Sequence, residues 1–442
     1  MNLNSFRTCL SCIAISAALF NPALHPNAAL ATDVPLSGVG DGFAIAESDW
    51  PWWRGPQRNG TANANQHPPL DVGATDNIVW KSPIPGRGHG SCIVAGPHVL
   101  LNSCDDESGT QFVLCFAKES GELQWRTEVH ESGAMQKNSK ASGASSTPAC
   151  DGEQVFVTFP NDGLLKLSVL SLHGDILWQR DVSKYQVHQG YGASPCLYQH
   201  LVIVASDNKS GGKVKAYDRE SGELVWERER PQKPNYPSPT IVHCDDKDQL
   251  ILVGCDLVES FDPLTGNTLW STEGATTECV TSTLTDGVNV FTSGGYPDNN
   301  MSAIRADGSG ETVWRNRNRL YVPSLVIHEG YLFGVLDAGI AMCWEASSGN
   351  EMWKARLGGT FSASPVLVGN HIFACNESGE CFVFEVAPKQ FNEIAKSELG
   401  TEVFATPTFV DSKIYHRVAF GTGKERKEWL YCLASQAASE TN

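Results

Sequence analysis

The chain has 442 residues, of which 41% are hydrophobic and 19% are charged, an ordinary balance for a globular protein with a large core. Its formal net charge of −17 argues against nucleic acids and anionic membrane surfaces as partners, because both are bound mainly through Lys and Arg. Length alone would suggest two or three domains.

Residues 1–31 have the pattern of a secretory signal peptide. Arg7 supplies a positive charge, residues 9–20 are apolar, and Ala29-Leu-Ala31 offers small residues for cleavage. A membrane anchor is the alternative, but 12 apolar residues fall short of the ~20 that a spanning helix needs. A lipoprotein cysteine at Cys12 fits less well, since it precedes most of the apolar stretch. We expect a periplasmic or secreted chain with no membrane span after cleavage.

Residues 32–76 form a lead-in segment before the first regular unit. Its most distinctive feature is the cluster Trp50-Pro-Trp-Trp53. This cluster could be a binding platform. We favour packing of the lead-in across a blade face, because the segment lies just upstream of a strand that is expected to close the fold.

Tryptophans then recur along the chain at intervals of 39 to 53 residues. Most of them end a similar phrase, such as Glu119-Ser-Gly-Glu-Leu-Gln-Trp125 and Glu220-Ser-Gly-Glu-Leu-Val-Trp226. A repeat of about 45 residues indicates an array of small units rather than separate domains. The seven repeating positions are Trp80, Trp125, Trp178, Trp226, Trp270, Trp314 and Trp353.

Each unit reads as four short strands. It opens with a small or hydroxyl residue, often followed by Pro, and continues through two apolar or alternating runs to the strand that ends in Trp. Turn signals recur every ~8–12 residues and no segment has sustained helical periodicity, which is typical of propeller blades. The eight openings begin at Ser91, Thr147, Ser194, Ser238, Ser282, Ser324, Ser364 and Thr406.

The two ends of the repeat complement each other. The last unit, opening at Thr406, lacks a fourth strand, whereas residues 77–81 form a fourth strand with no unit before it. We therefore predict an all-β, eight-bladed propeller of four-stranded antiparallel blades over residues 77–435, closed by this N-terminal strand. The seventh unit lacks its Trp, and its fourth strand is placed at 391–396. Residues 436–442 are expected to be a disordered tail.

The repeated tryptophans and the cysteines are both interpreted as structural. The tryptophans could line a ligand site, but a large aromatic residue at a fixed repeat position more simply packs between blades. Most of the cysteines fall at equivalent repeat positions, as small buried residues do. Two pairs, Cys375–Cys381 and Cys104–Cys115, could each bridge a hairpin. After the predicted signal peptide no Cys-x-x-Cys pair occurs, and no metal ligands are predicted.

The repeat resembles a known family. Residues 216–226, Ala-Tyr-Asp-x-x-Ser-Gly-Glu-Leu-Val-Trp, resemble the tryptophan-docking repeat of pyrroloquinoline quinone (PQQ)-type propellers, and residues 261–270 match equally well. The lead-in at 49–60 is similar to the segment that precedes the first repeat in many exported bacterial members. The resemblance covers residues 49–435. It is specific for the fold but not for an activity, because the same repeat serves enzymes and non-enzymes.

Two branches of the family bear on function. Quinoprotein alcohol dehydrogenases hold PQQ over calcium and carry adjacent half-cystines, but this chain has no Cys-Cys dipeptide and no catalytic or calcium-binding residue can be transferred to it. The barrel-assembly propeller lipoproteins of Gram-negative bacteria have a similar size and blade count and bind a partner protein. This resemblance implies a non-catalytic binding or scaffold module for a protein or cell-envelope component, acting as a monomer without a cofactor. A PQQ-dependent oxidoreductase with calcium is the alternative.

The candidate ligand site is the mouth of the central channel. The loops that enter the innermost strands carry aromatic residues, cations and histidines, which together could hold a planar or anionic ligand. The alternative is that they only fill and solvate the mouth. The candidates are Arg87, His89, Lys140, His188, Tyr191, Tyr236, Arg319, Tyr321, Phe361 and Phe404.

Overall fold

The computed structural model describes residues 43–435. The predicted signal peptide, the first part of the lead-in and the predicted tail at 436–442 lie outside the described residues. The described residues form eight four-stranded antiparallel sheets, with two short 3-10 helices (Thr75–Asn77 and Gly423–Glu425) and no α-helix. The prediction of an all-β, eight-bladed propeller is confirmed. Within these residues, no helix is long and apolar enough to cross a membrane.

The first four blades follow the chain without interruption, and in each the strands are paired in sequence order. Blade 1 consists of β2 (Ile93–Ala95), β3 (His98–Cys104), β4 (Gln111–Ala117) and β5 (Leu123–His130). Blade 2 consists of β6 (Ala149–Cys150), β7 (Gln154–Asn161), β8 (Leu164–Ser171) and β9 (Ile176–Lys184). Blade 3 consists of β10 (Cys196–Tyr198), β11 (Leu201–Ala205), β12 (Gly212–Asp218) and β13 (Leu224–Arg230). Blade 4 consists of β14 (Thr240–Cys244), β15 (Lys247–Gly254), β16 (Leu257–Phe261) and β17 (Thr268–Glu273).

The next three blades repeat this order, and the eighth joins the two ends of the ring. Blade 5 consists of β18 (Leu284–Thr285), β19 (Asn289–Gly294), β20 (Asn300–Arg305) and β21 (Thr312–Asn316). Blade 6 consists of β22 (Val326–His328), β23 (Tyr331–Leu336), β24 (Ile340–Glu345) and β25 (Glu351–Arg356). Blade 7 consists of β26 (Val366–Val368), β27 (His371–Cys375), β28 (Glu380–Glu385) and β29 (Glu393–Glu398). Blade 8 consists of β30 (Thr408–Val410), β31 (Lys413–Phe420), β32 (Lys427–Ala434) and β1 (Ile78–Ile84).

Strand β1 closes the ring as the sequence predicted. It pairs antiparallel with β32, with Trp80 opposite Cys432. The fourth strand of blade 7 begins two residues later than the predicted run of 391–396. In that blade Ala395 takes the position that Trp has in the others, opposite Val383 as Trp353 is opposite Cys343 in blade 6.

The repeated tryptophans dock on the neighbouring blade. A Cβ atom on Gly121, in the turn of blade 1, would lie 2.4 Å from the Trp80 ring, so only glycine allows this close approach. The indole nitrogen of Trp80 donates a hydrogen bond to the Lys118 carbonyl in the same turn. Trp125, Trp178, Trp226, Trp314 and Trp353 make the same kind of bond to the next blade. In Trp270 the indole donates to Gln249 of its own blade instead.

Of the two predicted disulfide bridges, the structure contains one. Cys375 and Cys381 face each other across β27 and β28 and form a disulfide. Cys104 lies opposite Gln111 and Cys115 opposite Leu100, so this second pair is out of register and both thiols are free and buried. The bridge considered for Cys104 and Cys115 is therefore not formed.

Candidate functional site

A ring of hydroxyl groups surrounds the channel. The Ser or Thr that opens each blade lies two residues before the first strand of that blade, and all eight are buried. Seven of them accept a hydrogen bond of 2.9–3.1 Å from the backbone N–H of the opening residue in the preceding blade. These contacts run between neighbouring blades, so each of the seven hydroxyls ties two innermost strands together. The opening motif is thus explained by the ring itself.

Residues 49–61, which we call the plug, cross one end of the channel. Trp50 exchanges two backbone hydrogen bonds with Val94 of blade 1, Cys150 N–H of blade 2 donates to the Pro51 carbonyl, and Leu367 N–H of blade 7 donates to the Gly60 carbonyl. The predicted packing of the lead-in across a blade face is not what the structure shows. The plug instead bonds to the innermost strands of several blades, because their ends leave free backbone groups around the axis.

Two buried arginines hold the plug in place. Arg54, 1% exposed, donates to the carbonyls of Pro365 in blade 7 and Leu325 in blade 6, at 2.9 and 2.5 Å. Arg58 donates to the Leu197 carbonyl in blade 3 and lies 4.1 Å over the ring of the fully buried Trp52. Burial lowers the pKa of Arg54 to about 9, which leaves its guanidinium charged at neutral pH.

Trp53 belongs to both the plug and the channel. Its indole nitrogen donates a 2.8 Å hydrogen bond to the Ser282 hydroxyl, which is the eighth member of the hydroxyl ring. Its ring also lines a cavity of about 300 Å³ at the opposite, open side of the channel. The indole therefore forms the floor of the channel mouth.

Six of the ten candidate residues line this cavity. They share positions on the loops that enter the innermost strands, and they are His89, Lys140, Tyr191, Tyr236, Tyr321 and Phe404. Asn138 and Gln189 also line it and are not among the predicted residues. Asn138 lies two residues from Lys140 and Gln189 directly follows His188, so their place on the same loops is the signal that could have found them.

The other four candidates do not line the cavity. Arg87 is held on the rim by Asp106 and Glu402, each 3.8 Å away. His188 lies 3.3 Å from Glu278, and the guanidinium of Arg319 lies 5.7 Å from the centre of the Tyr321 ring. Phe361 is 1% exposed and contacts Phe382 within the hydrophobic core, so it faces the blades rather than the mouth.

The cavity is lined by groups that are neutral or already paired. Lys140 forms a 2.7 Å ion pair with Glu377. Burial and the charge of Arg87 hold the pKa of His89 well below its usual value, and its ring stacks on Phe404 at 4.1 Å. Burial raises the pKa of Tyr236 and Tyr321 above the usual value, so both phenols are protonated.

The cavity does not have the donors that calcium requires. Calcium takes six to eight oxygen ligands, usually including carboxylates. Among the described residues, neither Asp nor Glu lines the cavity. Six of its Ser and Thr hydroxyls belong to the ring described above, while Ser362 donates to Glu377 and Ser145 to the Ser142 carbonyl. The residues at the mouth therefore do not fit a quinone held over a calcium ion.

The blade pattern, the tryptophan docking and the ring closure define the class of protein as an eight-bladed propeller of the PQQ-like type. The model of the family described as outer membrane protein assembly factor BamB matches residues 70–239 and 254–390. The chain belongs to this family. Curated protein sequences give no match to the chain.

Solved structures support the same fold. BamB from Moraxella catarrhalis is similar with a TM-score of 0.58 and 12% identity, over 80% of this chain and 99% of that one. A europium-containing methanol dehydrogenase reaches 0.64 at 12% identity, over 88% and 98%. A quinohemoprotein alcohol dehydrogenase from Comamonas testosteroni reaches 0.61 at 12% identity, over 92% and 83%. The fold is thus shared with both branches that the sequence suggested.

Proposed function

We propose that this chain is an exported, monomeric, non-catalytic binding or scaffold module whose channel mouth takes a protein partner or a cell-envelope component. One observation carries the proposal. The plug fills one end of the channel, whereas the other end holds a cavity lined mainly by aromatic rings, amides and hydroxyls, with no carboxylate among the described residues that line it. The cavity has a shape and a lining for binding, and none of the described residues that line it is a carboxylate that could act as a general base.

The size and lining of the cavity favour a protein partner. A volume of about 300 Å³ is at the small end of ligand pockets and suits one large side chain or one ring. Tyr, Trp and Phe at the centre of a contact, bordered by polar groups, are typical of protein interfaces. The family description, outer membrane protein assembly factor, also supports a partner protein in the cell envelope.

The second candidate is a PQQ-dependent oxidoreductase. It is favoured by the fold shared with methanol and alcohol dehydrogenases. The lining of the mouth speaks against it, because the described residues there supply no carboxylate for calcium. Lys140, the one lysine that lines the cavity, is already paired with Glu377.

Two assays on the purified protein separate the candidates. Titration with PQQ and calcium, followed by dye-linked alcohol oxidation, is expected to show neither binding nor turnover. Affinity capture from an envelope extract is expected to retain a partner, and the double variant Tyr321→Ala with Phe404→Ala is expected to lose it. Met352→Ala is the control, since Met352 is 41% exposed on the outermost strand of blade 6. PQQ binding with turnover would overturn the proposal.

A further inference from the structure

Two cysteines and a histidine meet between the last two blades, and these three residues do not line the channel mouth. Cys375 ends β27, Cys381 lies on β28 of the same blade, and His416 lies on β31 of blade 8. All three are 1–2% exposed. The two sulfur atoms and a ring nitrogen lie within 4.8 Å of one another, the one such group of potential metal ligands among residues 43–435.

The ring of His416 is poorly satisfied for a buried group. It contacts the Ala405 backbone, but neither ring nitrogen makes a hydrogen bond of good geometry among the described residues. Buried polar atoms in native proteins are almost always satisfied, and an exception points to a missing water, ion or reactive role. An imidazole directed at two sulfur atoms has the chemistry of a metal ligand.

We propose that, when the Cys375–Cys381 disulfide is reduced, these three residues bind one thiophilic d¹⁰ metal ion, zinc(II) or copper(I). Thiolate and imidazole are the ligands that both ions prefer. Zn–S bonds of ~2.3 Å place two sulfurs roughly 3.8 Å apart at a tetrahedral angle, so the two sulfurs must move apart by roughly 1.8 Å once the disulfide bond of ~2.0 Å opens.

The chemistry balances through a thiol or phosphine reductant. Two electrons and two protons convert the disulfide into two thiols, while the reductant is oxidised. Metal binding then releases the two thiol protons, because the thiolate is the ligand. The neutral imidazole of His416 supplies the third donor without losing a proton.

The metal and the disulfide would cross-link different parts of the propeller. The disulfide closes a hairpin between residues six apart within blade 7. A metal held also by His416 would join blade 7 to the second strand of blade 8, next to the ring closure by β1. The site is therefore available to a chain that has not yet been oxidised, and it does not depend on the proposed function of the mouth.

The test is metal binding by the full chain made by cell-free synthesis under a phosphine reductant. Zinc(II) and copper(I) are each titrated in competition with a chromophoric chelator, and cobalt(II) reports thiolate ligation by its charge-transfer absorption. We expect one ion per chain in the reduced protein and none after oxidation of the disulfide. This comparison requires no substitution, so it does not depend on a variant that folds.

Variants then assign the ligands. Cys381→Ser and His416→Gln are each expected to weaken binding at least tenfold. Cys343→Ser is the matched control, because Cys343 is an equally buried third-strand cysteine of blade 6 with a free thiol, and it is expected to bind like the parent. Absence of binding by the reduced parent, or equal binding by a folded His416→Gln variant, would overturn the proposal.

Discussion

The two ends of the channel are built on the same eight strands but differ in what covers them. At the closed end, Arg54 and Arg58 donate to strand carbonyls of blades 3, 6 and 7, and Trp52 is fully buried. At the open end, Tyr321 and Phe404 border a cavity. The closed end uses its large side chains for stability, whereas at the open end they border a cavity, where we propose that a partner binds.

The difference comes from sequence outside the repeat. The hydroxyl ring is almost uniform around the channel axis, so it does not account for the difference between the two ends. The plug is supplied by the lead-in, and the mouth by loops that differ from one blade to the next. Function in such a ring therefore depends on the segments that interrupt its regularity.

The largest effect is expected from Arg54→Met. The variant leaves the carbonyls of Pro365 and Leu325 buried without donors, and each unsatisfied group costs about 1–3 kcal/mol. We expect the free energy of unfolding to fall by roughly 3 kcal/mol, measured by urea denaturation. Lys354→Ala, which breaks an exposed ion pair with Glu351, is the control and should change it by less than about 0.5 kcal/mol. Equal effects of the two variants would mean that the plug is not a stabilising element.

Trp53→Ala is expected to have the next largest effect, and it acts at both ends of the channel. It removes the donor to the buried Ser282 hydroxyl and the floor of the cavity. We expect a loss of about 2 kcal/mol in the free energy of unfolding, from lost packing and one lost hydrogen bond. Trp53→Phe keeps the ring but not the donor and should lose about half as much. If both variants match the parent in a urea titration, Trp53 does not couple the plug to the ring.

The repeat made most of the fold predictable from the sequence. The plug lies outside the repeat, so its position could not be predicted in the same way. The strand number and the ring closure agree with the prediction. The position at which Trp docks is also kept in blade 7, where Ala395 replaces Trp, because neighbouring units fix the register of the strands. Arg54 gave no such signal, since its carbonyl partners at 325 and 365 lie more than 270 residues away along the chain. At the mouth, the position of a residue on its loop does not predict where its side chain points, as Phe361 shows. The loop position was equivalent to that of Tyr321, but the side chain turns into the core.

Phe404→Ala is expected to affect binding more than stability. Phe404 is partly exposed and stacks on His89, so its removal should lower the free energy of unfolding by no more than about 1 kcal/mol. An aromatic residue at the centre of an interface often contributes 2 kcal/mol or more to binding. We expect partner affinity to fall at least tenfold in a binding titration, about 1.4 kcal/mol. Unchanged affinity would remove Phe404 from the interface.

The smallest effect concerns pH. His89 stays neutral in the folded protein because burial, together with Arg87, lowers its pKa, and its Nδ1 lies 3.0 Å from the Lys140 carbonyl. Below about pH 6.5, His89 is protonated in the unfolded chain but stays neutral in the folded chain. His89 therefore lowers the free energy of unfolding as the pH falls. The thermal midpoint of His89→Gln should therefore decline less than that of the parent between pH 7.5 and 5.5. A steeper decline would mean that His89 is protonated in the fold.

Hydrogen–deuterium exchange of the protein with its captured partner tests the difference between the two ends most directly. The mouth is represented by backbone at 138–141, 189–192, 321–322 and 404. The closed end has its own groove of about 1000 Å³ between residues 61–65 and the turns at 285–287 and 328–330. We predict that the partner protects the mouth segments and leaves the closed-end groove unchanged. Protection confined to the closed-end groove would contradict a binding site at the mouth.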